Sequence, residues 1–373
     1  MKTNSLITKK SLNQLREDLL KTSPYSLLNQ DKQKILNKIF QILTKHHYES
    51  CAEYQKILNS IGFSFRDDLL SSEFPFIPVR LFKEYELKSI KKNDIFKIMN
   101  SSGTSGQELS KIFLDKETAS IQSKTLSKIL LSFIGKSRLP MIIVDSEEVL
   151  KNKHMFSARG AGILGFSMFG RDKIFALDKN MLPNENLIAE FLERYSGQRI
   201  LIFGFTFIIW QHLFNYFSEK GSFPDLSGSI LVHGGGWKKL ISESVTTDVF
   251  KSSLMKNFGI AEVHDYYGMI EQTGSIYMEC EFGHLHSSIF SDVIIRDHYD
   301  FSEKSIGEKG IIQLLSIIPT SYPGHSILTE DEGVLLGVDD CKCGRKGKYF
   351  KVIGRIQNAE IRGCSDTYAA ELV

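Results

Sequence analysis

An α/β fold is predicted by three observations. Between about residue 96 and residue 260, short β-rich runs alternate with helical stretches, the pattern of a sheet with helices packed on it. The first 95 residues read as helical and charged. Beyond residue 300 the strand candidates follow one another without long helices, so a smaller β-rich unit is expected there.

Taken in order, the elements begin with a helical segment in which Ile35, Ile39, Phe40, Ile42 and Leu43 recur at helical spacing as one apolar stripe. Phe74-Pro75-Phe76-Ile77-Pro78-Val79 cannot be regular helix, because two prolines remove donors and restrict their neighbours, and it is expected to be extended. Strands are predicted at Met141–Val144, Ile200–Phe203, Ile230–His233, Ile311–Leu315 and Val334–Val338. Helices are predicted at Lys116–Ile134, Asn184–Tyr195, Ile208–Lys220 and Glu243–Asn257.

Bulk properties narrow the function. A chain of 373 residues, 42% hydrophobic and 24% charged, has ample material for a core. Its net charge of +2, from 46 basic and 44 acidic residues, gives no reason to expect nucleic acid or an anionic membrane as partner. The first thirty residues hold no apolar core of signal-peptide length, and the stretch Ile200–Trp210 is too short to span a bilayer. Cys51, Cys280, Cys341, Cys343 and Cys364 are an odd set for a disulfide framework, so reduced thiols or metal ligands and a cytoplasmic address are expected.

The strongest local signal is Ser101-Ser102-Gly103-Thr104-Ser105-Gly106, where glycines admit a ligand to the backbone and hydroxyls add donors for phosphate oxygens. Lys111 follows as a source of neutralising charge, although this is not a Walker A loop. Tyr266-Tyr267-Gly268-Met269-Ile270-Glu271 follows a strand, and a Glu past a glycine turn suits Mg²⁺ beside phosphates. Gly234-Gly235-Gly236 closes another strand with bare backbone against which adenine can lie. In Thr329-Glu330-Asp331-Glu332-Gly333 a carboxylate can accept from ribose hydroxyls, and Gly354-Arg355 comes after it. Taken singly, each of these also fits a surface loop or tight turn.

In this order the motifs resemble the adenylate-forming superfamily of acyl-CoA synthetases, phenylacetate-CoA ligases and peptide-synthetase adenylation domains. Within it the chain is most similar to the acyl-protein synthetases of bacterial bioluminescence, on Gly234-Gly235-Gly236-Trp237-Lys238, Thr320-Ser321-Tyr322-Pro323, Arg362-Gly363-Cys364 and the proline-containing run ending in Leu81-Phe82-Lys83. The resemblance implies the large N-terminal-type domain of adenylate-forming enzymes: stacked, parallel-rich sheets with flanking helices, plus a smaller β-rich unit. Residues 1–95 are expected to pack on this core as a helical extension, residues 96–353 to form it, and residues 354–373 to make a hinge-like motif and tail. Because the chain stops at Val373, the C-terminal lid domain and its lysine are expected to be missing.

The same resemblance implies ATP-dependent activation of a carboxylic acid, a fatty acid by family, to an acyl-adenylate. Transfer to Cys364 would follow, for delivery to a reductase or acyltransferase. Ser101 to Gly106 would hold the phosphates, Glu271 Mg²⁺, Gly234 to Gly236 with Tyr267 and Gly268 the adenine, Asp331 the ribose, and Arg355 the ribose or phosphate. Two departures stand out: Lys111 lies two residues late, and Ile270 replaces a threonine donor. Cys280, His286, Cys341 and Cys343 make a soft four-ligand set of the structural zinc type, with His286 preferred over His284. For the acid, Phe203, Phe205, Phe207 and Trp210 are tunnel candidates or plain core, and Arg159 a carboxylate partner or one half of a surface ion pair. The competing functions are an acyl- or aryl-CoA ligase and a non-catalytic nucleotide-binding subunit.

Overall fold

The computed structural model describes residues 2–101, 109–151, 158–237 and 244–356. Three helices come first: α1 (Lys2–Lys21), α2 (Asn29–Ser50) and α3 (Ala52–Ser60). The strands are β1 (Ile77–Pro78), β2 (Lys97–Asn100), β3 (Lys111–Leu114), β4 (Leu139–Ser146), β5 (Gly170–Leu177), β6 (Leu201–Phe205) and β7 (Ile230–Gly234). They continue as β8 (Glu262–Tyr267), β9 (Tyr277–Glu279), β10 (Leu285–His286), β11 (Ser291–Arg296), β12 (Lys309–Ser316), β13 (Ser326–Val338) and β14 (Lys348–Arg355). Two compact units result.

Among the described residues, one unit contains 2–99, 109–133 and 268–356. Its strands run antiparallel in the order β11-β12-β13-β14-β10-β9, with β1 parallel beside β13. The extended reading of Phe74–Val79 holds in part: Ile77 and Pro78 pair with Ile327 and Leu328. A core of Cys51, Tyr54, Leu58, Ile77, Phe82, Ile112, Tyr322 and Ile327 joins the helices to these strands, and Met269 and Ile270 pack against it.

The buried stripe of α2 is Lys32, Leu36, Ile39, Phe40, Leu43, Thr44 and His47. Ile35 and Ile42 are only half-buried, which corrects the stripe read from apolar residues alone. The polar members enter because each finds a partner. Lys32 Nζ donates to Ser287 Oγ at 2.9 Å and lies 3.4 Å from Asp292. Thr44 Oγ1 meets His325 Nε2 at 3.0 Å, and His47 Nδ1 meets Ser89 Oγ at 2.7 Å.

The other unit holds Ile134 to Tyr267, with β8-β7-β6-β4-β5 all parallel. Of the predicted helices, Lys116–Ile134, which belongs to the first unit up to Phe133, is observed, and Asn184–Tyr195 is observed in this second unit as Glu185–Arg194 between those two caps. Ile208–Lys220 is interrupted by a π-helical segment, Ile209–Phe214. The helix read as Glu243–Asn257 is Thr247–Phe258, because the Thr246 side chain accepts from Val249 N–H and starts it there. No helix among the described residues is long and apolar enough to cross a membrane.

Candidate functional site

In the first unit, Glu271 sits in a 3-10 turn, Ile270–Gln272, directly after the Gly268-Met269 link. The turn is not solvated: Glu271 is 5% exposed. Tyr322 Oη donates to the Glu271 carbonyl at 2.8 Å, and Gln272 Nε2 donates to the carbonyls of Gly324 at 2.9 Å and Leu314 at 3.1 Å. Gly324 is required by this approach, since a Cβ there would stand 2.8 Å from the Glu271 carbonyl oxygen. Burial and the nearby Glu271 charge raise the Tyr322 phenol, so it stays a donor.

Asp331 and Arg355 are direct partners across β13 and β14. Arg355 Nε lies 3.6 Å from Asp331 Oδ1, with both side chains partly exposed. The acidic run Thr329–Gly333 therefore lies inside a 13-residue strand, longer than the predicted Val334–Val338, at a point where the pairing shifts register. Lys111 opens β3 and is exposed. Thus the first unit brings Asp331 and Arg355 together and buries Glu271.

In the second unit, Gly234 ends β7 and Gly235 and Gly236 follow exposed. A Cβ on Gly234 would fall 2.4 Å from the Tyr266 ring, so the missing side chain admits that ring. Phe166 stacks on Phe203 with centroids 4.3 Å apart and tilts against Tyr266 at 4.8 Å. Nothing within 4 Å crowds a Cβ at Gly236. Tyr267 is half-buried at the end of β8, and Gly268 is exposed. Ser101 follows β2 and is half-buried. Ser102, Gly103, Thr104, Ser105, Gly106 and Cys364 lie outside the described residues, as do Lys238, Arg362 and Gly363.

Arg159 does not form a surface ion pair. Its guanidinium grips Asp145 with two nitrogens, Nε to Oδ2 at 2.7 Å, and both side chains are buried. A charge so enclosed needs its partner, so the pair is a fixture of the interior beside β4.

Cys280, His286, Cys341 and Cys343 converge, their ligand atoms all within 4.8 Å of one another. Cys280 Sγ is 3.9 Å from Cys341 Sγ, and Cys343 Sγ is 3.4 Å from His286 Nε2. Tetrahedral zinc with Zn–S of about 2.3 Å and Zn–N of about 2.1 Å has edges of about 3.8 Å between sulfurs and about 3.6 Å between sulfur and nitrogen. The donor set and its spacing therefore fit zinc. Four protein ligands close the coordination sphere, as in structural rather than catalytic sites. His284 is partly exposed, stacked on Tyr349, with Nδ1 at 3.3 Å from Cys341 Sγ. Without a cation, burial pushes the Cys341 thiol up to about 12 and His286 down to about 4, the latter helped by Arg345.

Sequence reasoning missed a set of buried polar groups, Arg16, His47 and His325, with the half-buried His46 beside them. Arg16 is 1% exposed, and the His47 and His325 rings stack with centroids 5.0 Å apart. The available signal was the helical spacing of Lys32, Thr44 and His47 with the apolar stripe, which marks polar residues on a core face.

Comparison with known proteins gives the family and the fold. Long-chain-fatty-acid–luciferin-component ligase of Aliivibrio fischeri is 22% identical over 377 aligned residues, covering 98% of this chain and 95% of that protein. The protein of the same name from Vibrio harveyi is 19% identical, covering 90% and 88%. Among solved structures, 2-hydroxyisobutyryl-CoA ligase in the postadenylation state with 2-HIB-AMP superposes with a TM-score of 0.67 at 15% identity, covering 90% of this chain and 70% of that one. The fold is therefore that of the adenylate-forming ligases. The family model described as acyl-protein synthetase, LuxE, matches residues 3–373, and the chain belongs to that family.

Proposed function

We propose that this acid ligase uses ATP to activate a long-chain fatty acid and then loads the acyl group onto its own Cys364. A carboxylate oxygen attacks the α-phosphorus of ATP and pyrophosphate leaves. The Cys364 thiolate then attacks the acyl carbonyl carbon, and AMP leaves with the electron pair of the broken C–O bond. In this reading Ser101 to Gly106 cradle the phosphates with Lys111 nearby, Gly234 to Gly236, Tyr267 and Gly268 line the adenine, Asp331 takes the ribose, and Arg355 the ribose or phosphate. Glu271 holds Mg²⁺, which would offset phosphate charge. Residues 96–353 carry the activation chemistry, residues 1–95 support it, and residues 354–373 bring the thiol. Zinc on Cys280, His286, Cys341 and Cys343 ties the β9–β10 turn to the β13–β14 turn. A reductase or acyltransferase of the cytoplasm then removes the acyl group.

The observation that carries the reading is the Asp331–Arg355 pair. Two residues 24 positions apart, each proposed for the same nucleotide, are cross-strand partners in the structure. Cys364→Ser is the decisive variant. It is expected to retain fatty-acid-dependent exchange of pyrophosphate into ATP, and to carry no hydroxylamine-sensitive acyl label after incubation with ATP and acid. Intact mass measured after offering a pool of acids identifies the acid by its mass gain. Retention of the label by Cys364→Ser would overturn the acceptor assignment. An acyl group recovered only on added CoA would make the chain a CoA ligase instead.

A further inference from the structure

Four consecutive carbonyls between β12 and β13 are met by side chains from α1 and α2. Arg16 donates through Nε to the Ile317 carbonyl at 2.9 Å and through Nη2 to Ile318 at 2.9 Å. His47 Nε2 is 3.2 Å from the Pro319 carbonyl oxygen, and His46 Nε2 is 2.9 Å from that of Thr320. A carbonyl only accepts, so both histidines carry the proton on Nε2, and His47 Nδ1 accepts from the Ser89 hydroxyl at 2.7 Å. Ser89 N–H in turn donates to the Ser321 carbonyl at 2.8 Å. The segment makes no ladder here, so without these donors it would bury bare carbonyls.

Its next residues touch the candidate magnesium ligand. Tyr322 Oη holds the Glu271 carbonyl, Gln272 Nε2 holds the Gly324 carbonyl, and Thr320 Oγ1 meets Thr118 Oγ1 at 2.9 Å. Arg16 and His47 are fully buried, and Tyr322 is buried in the core that Met269 and Ile270 also contact. The chain of contact runs from the N-terminal helices, through residues 317–324, to the turn carrying Glu271.

We infer that Arg16, His46 and His47 are positioning residues for the activation step, acting through Tyr322 on Glu271. The inference rests on the reading of Glu271 as the Mg²⁺ ligand. By it, the N-terminal helices are a working part of the metal–nucleotide site and not an appendage.

The test is the Mg²⁺ concentration for half-maximal ATP–pyrophosphate exchange, measured with an acid that supports exchange. Tyr322→Phe removes only a hydroxyl, His47→Leu and His46→Leu remove donors, and His47→Gln restores an N–H near the Nε2 position. Both Tyr322→Phe and the leucine variants are expected to raise the Mg²⁺ requirement about fivefold, the effect of losing one buried hydrogen bond, with the KM for the acid unchanged. His47→Gln is expected to recover most of the loss. A general loss of folded protein would lower the amplitude and leave the Mg²⁺ midpoint in place. Should His47→Leu fail to fold, the half-buried His46 position and Tyr322→Phe decide. Wild-type Mg²⁺ midpoints in Tyr322→Phe and His46→Leu, alongside a shifted midpoint in Glu271→Gln, would sink the positioning role alone. An unshifted midpoint in Glu271→Gln sinks the metal reading and the inference with it.

Discussion

Asp331 and Arg355 are separated by 3.6 Å and neither is fully buried, a geometry in which an ion pair adds little to stability. Their pairing is therefore informative about binding: two side chains of opposite charge are held in register by β13 and β14 with their ends partly open to solvent. Asp331→Asn and Arg355→Ala are each expected to raise the KM for ATP about tenfold or more. The melting temperature should move by no more than about 2 °C, because a half-exposed pair contributes less than about 1 kcal/mol. A steady-state titration of ATP, paired with a thermal melt, checks this. Unchanged KM values would remove both residues from the nucleotide site. These residues were legible in the sequence because an acidic run and a Gly-Arg pair are local patterns. Arg16 and His47 were not, since Arg16 meets its carbonyls 301 residues away and His47 meets Pro319 272 residues away.

Among the elements, the segment between β13 and β14 carries Cys341 and Cys343 and also anchors the link between α1 and α2. Lys346 N–H donates to the Tyr25 carbonyl at 3.0 Å, and Asn29 N–H donates to Asp339 at 2.9 Å. The Tyr25 ring stands edge-on to His286, with centroids 6.1 Å apart. Lys32 and Lys348 share the buried Asp292, at 3.4 and 3.1 Å. Metal on the cysteine cluster should therefore stiffen residues 25–29 as well as its own turns. Elemental analysis of untagged protein is expected to find about one zinc per chain. Chelation or Cys341→Ser is expected to lower amide protection at residues 25–29 in hydrogen exchange; no change there would uncouple the cluster from the helices. The convergence of Cys280, His286, Cys341 and Cys343 was readable from Cys and His spacing, because soft donors are rare and conspicuous. The π-helical segment Ile209–Phe214 was not: over six residues an apolar run such as Ile208-Ile209-Trp210 fits either winding.

For the molecule as a whole, acidity is the exposed weakness. His325 in one unit and His233 in the other are both buried, and burial takes each from 6.5 to about 3. His325 also faces His46, while His233 faces Lys251 and His264, charges that add to the shift. Between pH 6.5 and 3 the unfolded chain binds these protons and the native one does not, so stability falls as pH drops through 6.5. Each histidine removes about 1.4 kcal/mol on going from pH 7.5 to 5.5. Denaturant titrations at those two pH values should show both units losing stability, and equal midpoints would contradict the burial of neutral rings. The α/β class, the strands β4, β6, β7 and β12 with part of β13, and helices such as Lys116–Ile134 were evident from alternation and periodicity. The grouping of residues up to Met99 with those from Gly268 onward was not, because it arises from pairings such as Ile77 with Ile327, which leave no trace in local pattern.

That long-range pairing has a consequence in time. During synthesis α1, α2 and β1 leave the ribosome while residues 317–328 are still untranslated. At about 5 to 20 residues per second, the 301 residues between Arg16 and Ile317 take about 15 to 60 s. For that interval the guanidinium and imidazoles must remain hydrated and the apolar face of α2 uncovered. Newborn chains thus carry a sticky helical segment awaiting its clasp for about 15 to 60 s, which makes translation speed and chaperone supply determinants of yield.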